Sequence, residues 1–262
     1  MTHVVVVGGG PGGYEAALVA AQLGAEVTVV DRDGLGGSAV LTDCVPSKTL
    51  IATAEVMTTV AESGELGVRI DDEAEHPGLA SVDLGTVNAR VKRLAAAQSV
   101  DIQASLERAG VRVVRGLGRL DGPARVAATT DAGTEFYDAD VVLVSTGARP
   151  RVVEGAEPDG ERILTWEQVY DLTELPERLV VVGSGVTGAE FASAYNALGS
   201  EVVLVSSRER VLPGEDPDAA QVLEDVFRRR GMQVLGRSRA STAQRVGDGV
   251  VVTLSDGTKV EG

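Results

Sequence analysis

One pattern constrains this chain more than any other. A β-branched run, a glycine turn, a small-residue helix and a second apolar strand occur in that order twice. Val4–Val7 runs into Gly8-Gly9-Gly10-Pro11-Gly12-Gly13, a helix is predicted over Gly12–Leu23 and closed by Gly24, and the strand Glu26–Val30 ends at Asp31. Leu179–Val182 then runs into Gly183-Ser184-Gly185-Val186-Thr187-Gly188, a helix is predicted over Ala189–Leu198, and the strand Glu201–Val205 ends at Ser206. From the first glycine to the residue closing the second strand is 23 residues in both copies, Gly8 to Asp31 and Gly183 to Ser206. Continuous β-branched strands alternating with helices belong to parallel sheets, so the pattern predicts an α/β fold of two Rossmann-like domains, with right-handed connections. The length of 262 residues suits two domains at roughly 150 residues each.

Between the copies the signals are weaker. Gly34–Ser47 reads as a loop, with a helix beginning near Pro46, since proline is tolerated in a first turn. Asp71–Pro77 reads as an acidic loop. Val87, Val91, Leu94, Ile102 and Leu106 recur at helical spacing, predicting one long amphipathic helix or two in succession over Asp83–Ala109. Short β segments are predicted at Val111–Val114, Ala124–Thr129 and Val141–Ser145, separated by Gly-Pro and Asp/Gly turns, and small antiparallel β segments are expected beside the parallel sheets. The Pro-, Gly- and charge-rich stretch Arg149–Glu161 is the predicted boundary, giving domains 1–150 and 151–262. Asp256-Gly257 is a hairpin turn whose return strand is barely started at Gly262, so the sequence is read as a truncated piece of a longer protein.

Composition excludes several classes of function. With 24 basic and 39 acidic residues the net charge is −15, which repels nucleic acid, and no basic stripe outweighs it. Arg228-Arg229-Arg230 reads as a helix end, where cations oppose the dipole. The only cysteine, Cys44, allows neither an intrachain disulfide nor a zinc cluster, and a cytoplasmic setting is expected. No apolar stretch approaches the ~20 residues of a membrane span. His3 and His76 have no sequence partner that suggests catalysis, and Trp166 reads as packing at the start of a short helix.

The two glycine turns carry the chemistry. Gly8 permits a tight turn, Gly10 lets backbone approach a pyrophosphate, Gly13 lets helix and strand pack closely, and Asp31 is placed to accept from ribose hydroxyls. In the second copy that acid is missing, and Ser206, Ser207 and Arg208 follow the strand. A 2′-phosphate is therefore not repelled, and Arg208 or Arg210 can pair with it. Two such units suggest two nucleotides with electrons passing between them.

The segment Gly36-Gly37-Ser38-Ala39-Val40-Leu41-Thr42-Asp43-Cys44-Val45-Pro46-Ser47-Lys48 resembles the redox-active stretch of the flavoprotein disulfide reductases. The resemblance includes Ser145-Thr146-Gly147 and Glu190, and covers the whole chain. In that family two cysteines precede a Pro-Ser-Lys. Here Ala39 stands at the first cysteine position, so no dithiol forms and electrons do not leave by thiol exchange. Cys44 reads as a small, half-buried residue near the flavin. Asp43 to Lys48, Gly160 to Trp166 and Val182 to Phe191 resemble the actinobacterial NAD(P)H quinone reductases, which lack the first cysteine.

What the resemblance implies is an FAD-dependent oxidoreductase that passes hydride from NAD(P)H to the flavin and then reduces a quinone. It places Lys48 near the flavin ring, paired with Glu190, as the catalytic pair. It assigns Gly8, Gly10, Pro11, Gly12, Gly13, Asp31, Arg32, Gly37, Ser38, Cys44, Lys48, Gly118, Thr146 and Gly147 to FAD. It assigns Gly183, Ser184, Gly185, Val186, Thr187, Gly188, Glu190, Ser206, Ser207, Arg208 and Ala240 to NAD(P)H. Val186 stands where glutathione reductases carry a gating tyrosine. A second FAD segment and a C-terminal domain forming a homodimer are implied beyond residue 262, and residues 1–262 alone are expected to bind FAD weakly. The alternatives are a transhydrogenase, whose relatives keep the first cysteine and lose the second, a dihydrolipoamide dehydrogenase-like protein, and a non-catalytic flavin-binding homologue. No metal is expected.

Overall fold

The computed structural model describes residues 1–68 and 81–262. The acidic run 71–77 and His76 lie outside the described residues. The chain forms two compact units, one of residues 1–46 and 91–149, the other of residues 47–90 and 150–262. The single cut near 150 read from the sequence therefore leaves residues 47–90 with the first copy, whereas they pack with the second.

In the first unit β1 (His3–Val7), β2 (Glu26–Asp31), β3 (Arg112–Arg115) and β7 (Val141–Val144) form a parallel sheet in the order β3-β2-β1-β7. Val4 pairs with Val27 on one side and Val141 on the other. Side chains alternate across a strand, and the two faces are buried differently. Val6, Val27 and Val29 face α1 (Pro11–Gln22) and the Ile102–Leu106 end of α4 (Leu84–Arg108). Val5, Val7, Val30 and Val114 face an antiparallel sheet of β4 (Leu117–Leu120), β5 (Arg125–Thr130) and β6 (Gly133–Asp138), through Val126, Ala128 and Tyr137.

The second unit repeats the plan. Strands β8 (Arg178–Val182), β9 (Glu201–Val205) and β10 (Gln233–Leu235) run parallel in the order β10-β9-β8. Helix α5 (Val186–Leu198) connects β8 to β9 and buries Phe191, Ala192, Tyr195 and Leu198. Val203 and Val205 meet β11 (Ala240–Val246) through Ala240 and Ala243 and β12 (Gly249–Leu254) through Val252 and Leu254. The hairpin at Asp256-Gly257 returns as β13 (Lys259–Glu261), paired antiparallel to β12. The duplication thus extends to a three-stranded antiparallel sheet on one face of each parallel sheet.

The region read as a loop, 34–47, holds a short helix, α2 (Gly37–Leu41), and the start of α3 (Cys44–Glu62). Gly36 at φ +94° starts α2, and α3 already includes Cys44, with Pro46 in its first turn where no intrahelical donor is needed. The 83–109 periodicity is one helix of 25 residues. Among the described residues no helix is long and apolar enough to cross a membrane.

Candidate nucleotide and redox site

In the first unit the turn is built by close backbone approach. A Cβ on Gly13 would fall well inside contact with the Gly8 carbonyl oxygen, and the same holds for Gly188 and Gly183. The Gly8 amide donates to Val30 O at 2.9 Å, and the Gly183 amide to Val205 O at 2.9 Å. Both turns therefore have one geometry, and both helices start at a glycine, Gly10 or Gly185, with no side-chain cap. Uncapped first-turn amides are what an anion at a helix N-terminus uses.

Three further residues close this turn. The Asp31 carboxylate accepts from the Gly9 amide (2.7 Å), the Asp33 amide (2.9 Å) and the Gly34 amide (2.7 Å), which fixes its orientation. Ser145 Oγ donates to Gly8 O at 2.8 Å and stitches the turn to the end of β7. Gly37, at φ +54°, stands so close to the turn that a Cβ on it would lie 2.8 Å from Gly10 Cα. Gly12, Ser38, Thr146 and Gly147 flank the turn, and the last three are exposed. Arg32 is paired with Asp33 at 2.6 Å. That pairing holds the Asp33 carboxyl below the usual carboxylate range, with Arg149 and Arg115 adding to it.

In the second unit Lys48 from α3 and Glu190 from α5 meet, Nζ to Oε1, at 2.5 Å. The helices that carry them line a groove of about 450 Å³, through Ile51, Ala54, Thr58, Ala194 and Ala197. Val186 and Ser207 are exposed, while Thr187 and Gly188 are half-buried. Ser184 and Ser206 are 5% and 0% exposed, and their hydroxyls bond each other at 2.6 Å.

Some residues stand differently from the sequence expectation. Cys44 is exposed, not half-buried, because it opens α3. The Ser206 side chain reaches no ligand surface; it is enclosed and bonded inside the protein. Gly118 is required by packing, since a Cβ there would come 2.8 Å from Val7 Cγ1 where β4 crosses the parallel sheet. Ala240 packs against the Val203, Val205, Val252 and Leu254 cluster. Sequence reasoning also missed Glu224 of α6 (Pro217–Arg229). It is buried, accepts from the Val211 amide at 2.9 Å and pairs with Arg228. An acid at the buried helical spacing of Ala220 and Phe227 was the available signal.

The sequence matches the family described as pyridine nucleotide-disulphide oxidoreductase over residues 2–262. The chain belongs to this family. It is 52% identical, over its whole length, to the NAD(P)H dehydrogenase (quinone) of Mycobacterium tuberculosis, of which it covers 54%. It is 37% identical to a dihydrolipoyl dehydrogenase of Chlorobaculum parvum, over 86% of this chain and 46% of that protein. The crystal structure of LpdA from M. tuberculosis superposes with a TM-score of 0.90 at 50% identity, covering all of this chain and 57% of that one. A flavoprotein disulfide reductase from Escherichia coli, RclA, shares the fold alone, with a TM-score of 0.79 at 19% identity. The chain spans about half the length of the curated relatives it matches. Within this disulphide oxidoreductase family, a chain whose only thiol is Cys44, with Ala39 five positions before it, has no dithiol of its own.

Proposed function

We propose that this chain carries the FAD- and NAD(P)H-binding parts of a cytoplasmic oxidoreductase that passes hydride from NAD(P)H to flavin and on to a quinone-type acceptor. The observation that carries the reading is the pairing of two glycine turns of one geometry with a single thiol. Two nucleotides are provided for, and the dithiol route out of the flavin is not.

The residues present fit an FAD. Gly37 against Gly10 leaves a cradle that any Cβ would fill, next to the uncapped start of α1. Gly8, Gly10, Pro11, Gly12 and Gly13 would hold the FAD pyrophosphate, with Asp31 on the ribose and Arg32, Ser38, Thr146 and Gly147 at its edges. Bound FAD supplies a two-electron relay between nucleotide and acceptor. Gly183, Gly185, Thr187 and Gly188 would cradle the NAD(P)H pyrophosphate, with the small, exposed Val186 leaving the nicotinamide slot open. Glu190 fixes the Lys48 ammonium, and that cation is our choice for the group that sets the electrostatics at the flavin ring. Cys44 in this reading is a neighbour of the flavin, not an electron carrier. The proposal includes a homodimer for the full-length enzyme.

The test is anaerobic titration of the FAD-loaded full-length protein with NADPH or NADH, followed by menadione or lipoamide. Bleaching of the flavin and its reoxidation by menadione alone are expected. Reoxidation by lipoamide would overturn the acceptor, and no bleaching would leave the non-catalytic homologue as the answer.

A further inference from the structure

Both glycine turns are braced from outside by the loop that follows the second strand. In the first unit the Gly36 amide donates to Gly9 O at 2.8 Å, and in the second the Leu212 amide donates to Ser184 O at 2.8 Å. Gly9 and Ser184 hold the same place, second in their turns. The bracing residue is left-handed in both, Gly36 at φ +94° and Leu212 at φ +49°. A peptide unit is planar and trans, so its C=O and its N–H point to opposite sides. The donor on Ser184 O therefore fixes where the N–H of Gly185 points, at the glycine from which α5 starts.

Glycine adopts that backbone freely and leucine does not. For an L-residue the left-handed region is about 5- to 30-fold less populated than the right-handed one. Among the described residues Leu212 is the one apolar side chain at positive φ, so its conformation must be imposed by its surroundings. The residue before it, Val211, is fully buried, and its amide donates to Glu224 Oε2 at 2.9 Å. Glu224 is 5% exposed and stands on the face of α6 that carries Ala220 and Phe227 into the core. Its other carboxylate oxygen pairs with Arg228, whose side chain keeps 47% of its surface. On the far side of the loop the Glu215 amide returns to Leu212 O at 3.0 Å. Burying a carboxylate has a large solvation cost, and an apolar side chain would pack α6 without it. What the carboxylate adds is a strong acceptor for one amide, next to the strained residue.

We propose that Glu224 is a positioning residue for dinucleotide binding at the second glycine turn. Through the Val211 amide it keeps Leu212 left-handed, and Leu212, through Ser184 O, keeps the Gly185 N–H aimed at the pyrophosphate. The inference rests on the nucleotide reading above and deepens it. Glu224 touches no ligand. It holds the turn in its binding form before the nucleotide arrives, so that binding does not have to order it. Without the brace the observed affinity falls with the fraction of molecules that still hold the turn.

The test follows NADPH and NADH with the FAD-loaded full-length protein by anaerobic stopped flow, which separates the dissociation constant from the limiting rate of flavin bleaching. Binding of NADP+ and NAD+ is measured beside it by calorimetry. Glu224→Leu should raise the dissociation constants of both nucleotides alike, by about tenfold, while the limiting rate moves by less than about twofold. Glu224→Gln keeps an acceptor oxygen and should recover most of that loss. Leu212→Gly needs no brace, so in that background Glu224→Leu should weaken binding by about threefold or less, a coupling that a merely structural carboxylate would not show. An equal loss in both backgrounds, dissociation constants untouched by Glu224→Leu, or a loss confined to the limiting rate would overturn the inference while leaving the redox reading intact. Should Glu224→Leu alone not fold, folding and nucleotide binding by Leu212→Gly combined with Glu224→Leu would uphold the brace, and failure of the pair in either respect would overturn it. If neither reduced nucleotide bleaches the flavin but NADP+ and NAD+ binding still follows Glu224 in this way, the redox reading fails and the positioning role stands.

Discussion

The Lys48–Glu190 pair joins a cation that keeps 59% of its side-chain surface to a carboxylate that keeps 19%. Water screens such a pair, and its contribution to stability is about 1 kcal/mol or less. If its purpose is electrostatic, removing the charge should affect rate far more than folding. Lys48→Met is expected to slow flavin bleaching by saturating NADPH at least about tenfold in stopped flow, while the melting temperature moves by no more than about 4 °C. A large melting loss with an unchanged rate would make the pair a tether. Gly37 predicts the opposite balance. At φ +54° and 2.8 Å from Gly10 Cα, a Cβ there is strained by conformation and by contact. Gly37→Ala should cost about 1–3 kcal/mol and weaken FAD binding, read by urea titration and flavin fluorescence. The Lys48–Glu190 meeting was legible in the sequence because both residues sit at fixed offsets in motifs. The Ser184–Ser206 clasp was not, since a serine after a strand looks solvated until its burial is seen. Gly118 and Ala240 also pack against the strands of their own units, which the matched motif alone did not show.

At the scale of elements, legibility followed periodicity. Apart from their first residues and Thr28 and Asp31 of β2, the strands β1, β2, β8 and β9 are continuous runs of apolar, mostly β-branched residues, so a single sequence identifies them. Strands β4 and β6 escaped because their side chains are mostly exposed, and no alternation separates Leu117–Leu120 or Gly133–Asp138 from a loop. The early start of α3 escaped for another reason. Thr42 and Asp43 look like turn residues, and only the 36–41 backbone, turning through Gly36, brings Cys44 into helical register. Helix α6 offers a clean test of local signals. Asp216 caps it, accepting from the Asp218 amide at 2.9 Å and the Ala219 amide at 3.2 Å, with Pro217 in the first turn. Replacing such a cap with alanine costs about 1 kcal/mol. In Asp216→Ala the amides of the first turn of α6 should exchange about fivefold faster or more, since a 1.4 kcal/mol change is tenfold in an equilibrium constant. The buried Glu224 amide near the helix centre serves as the internal reference. Unchanged first-turn exchange would mean that Pro217 alone sets the start of the helix.

Over the whole chain the excess of 15 negative charges sets the response to salt and acid. Self-repulsion opposes a compact state and is screened within about 10 Å at 0.1 M salt. The apparent melting temperature should therefore rise by about 2–4 °C between low salt and 0.2 M NaCl, as a gain near 1 kcal/mol would give. Lowering the pH toward the isoelectric point of 4.6 removes the same repulsion by protonating exposed carboxylates. A second set of carboxyls works against further acidification. Asp159 accepts the amides of Glu161, Ile163 and Arg162, which hold its carboxyl at about 2. Thr86 lowers Asp83, the Gly155 amide lowers Glu157, and the Thr258 amide lowers Asp256. A carboxyl depressed on folding contributes stability above its ordinary value near 3.8, and that contribution is lost as the pH falls through the folded value. The two effects have opposite signs and separate windows. Melting temperature at low salt should climb from pH 7 toward about pH 5, then drop between about 4 and 2, when the Asp159 turn opens. At 0.3 M NaCl the climb should flatten and the drop remain, because hydrogen bonds from amides are not screened as surface charges are. A low-salt profile that falls steadily from pH 7 would show that specific carboxylate contacts outweigh the net charge throughout, and the acidic surface would then bear on solubility alone.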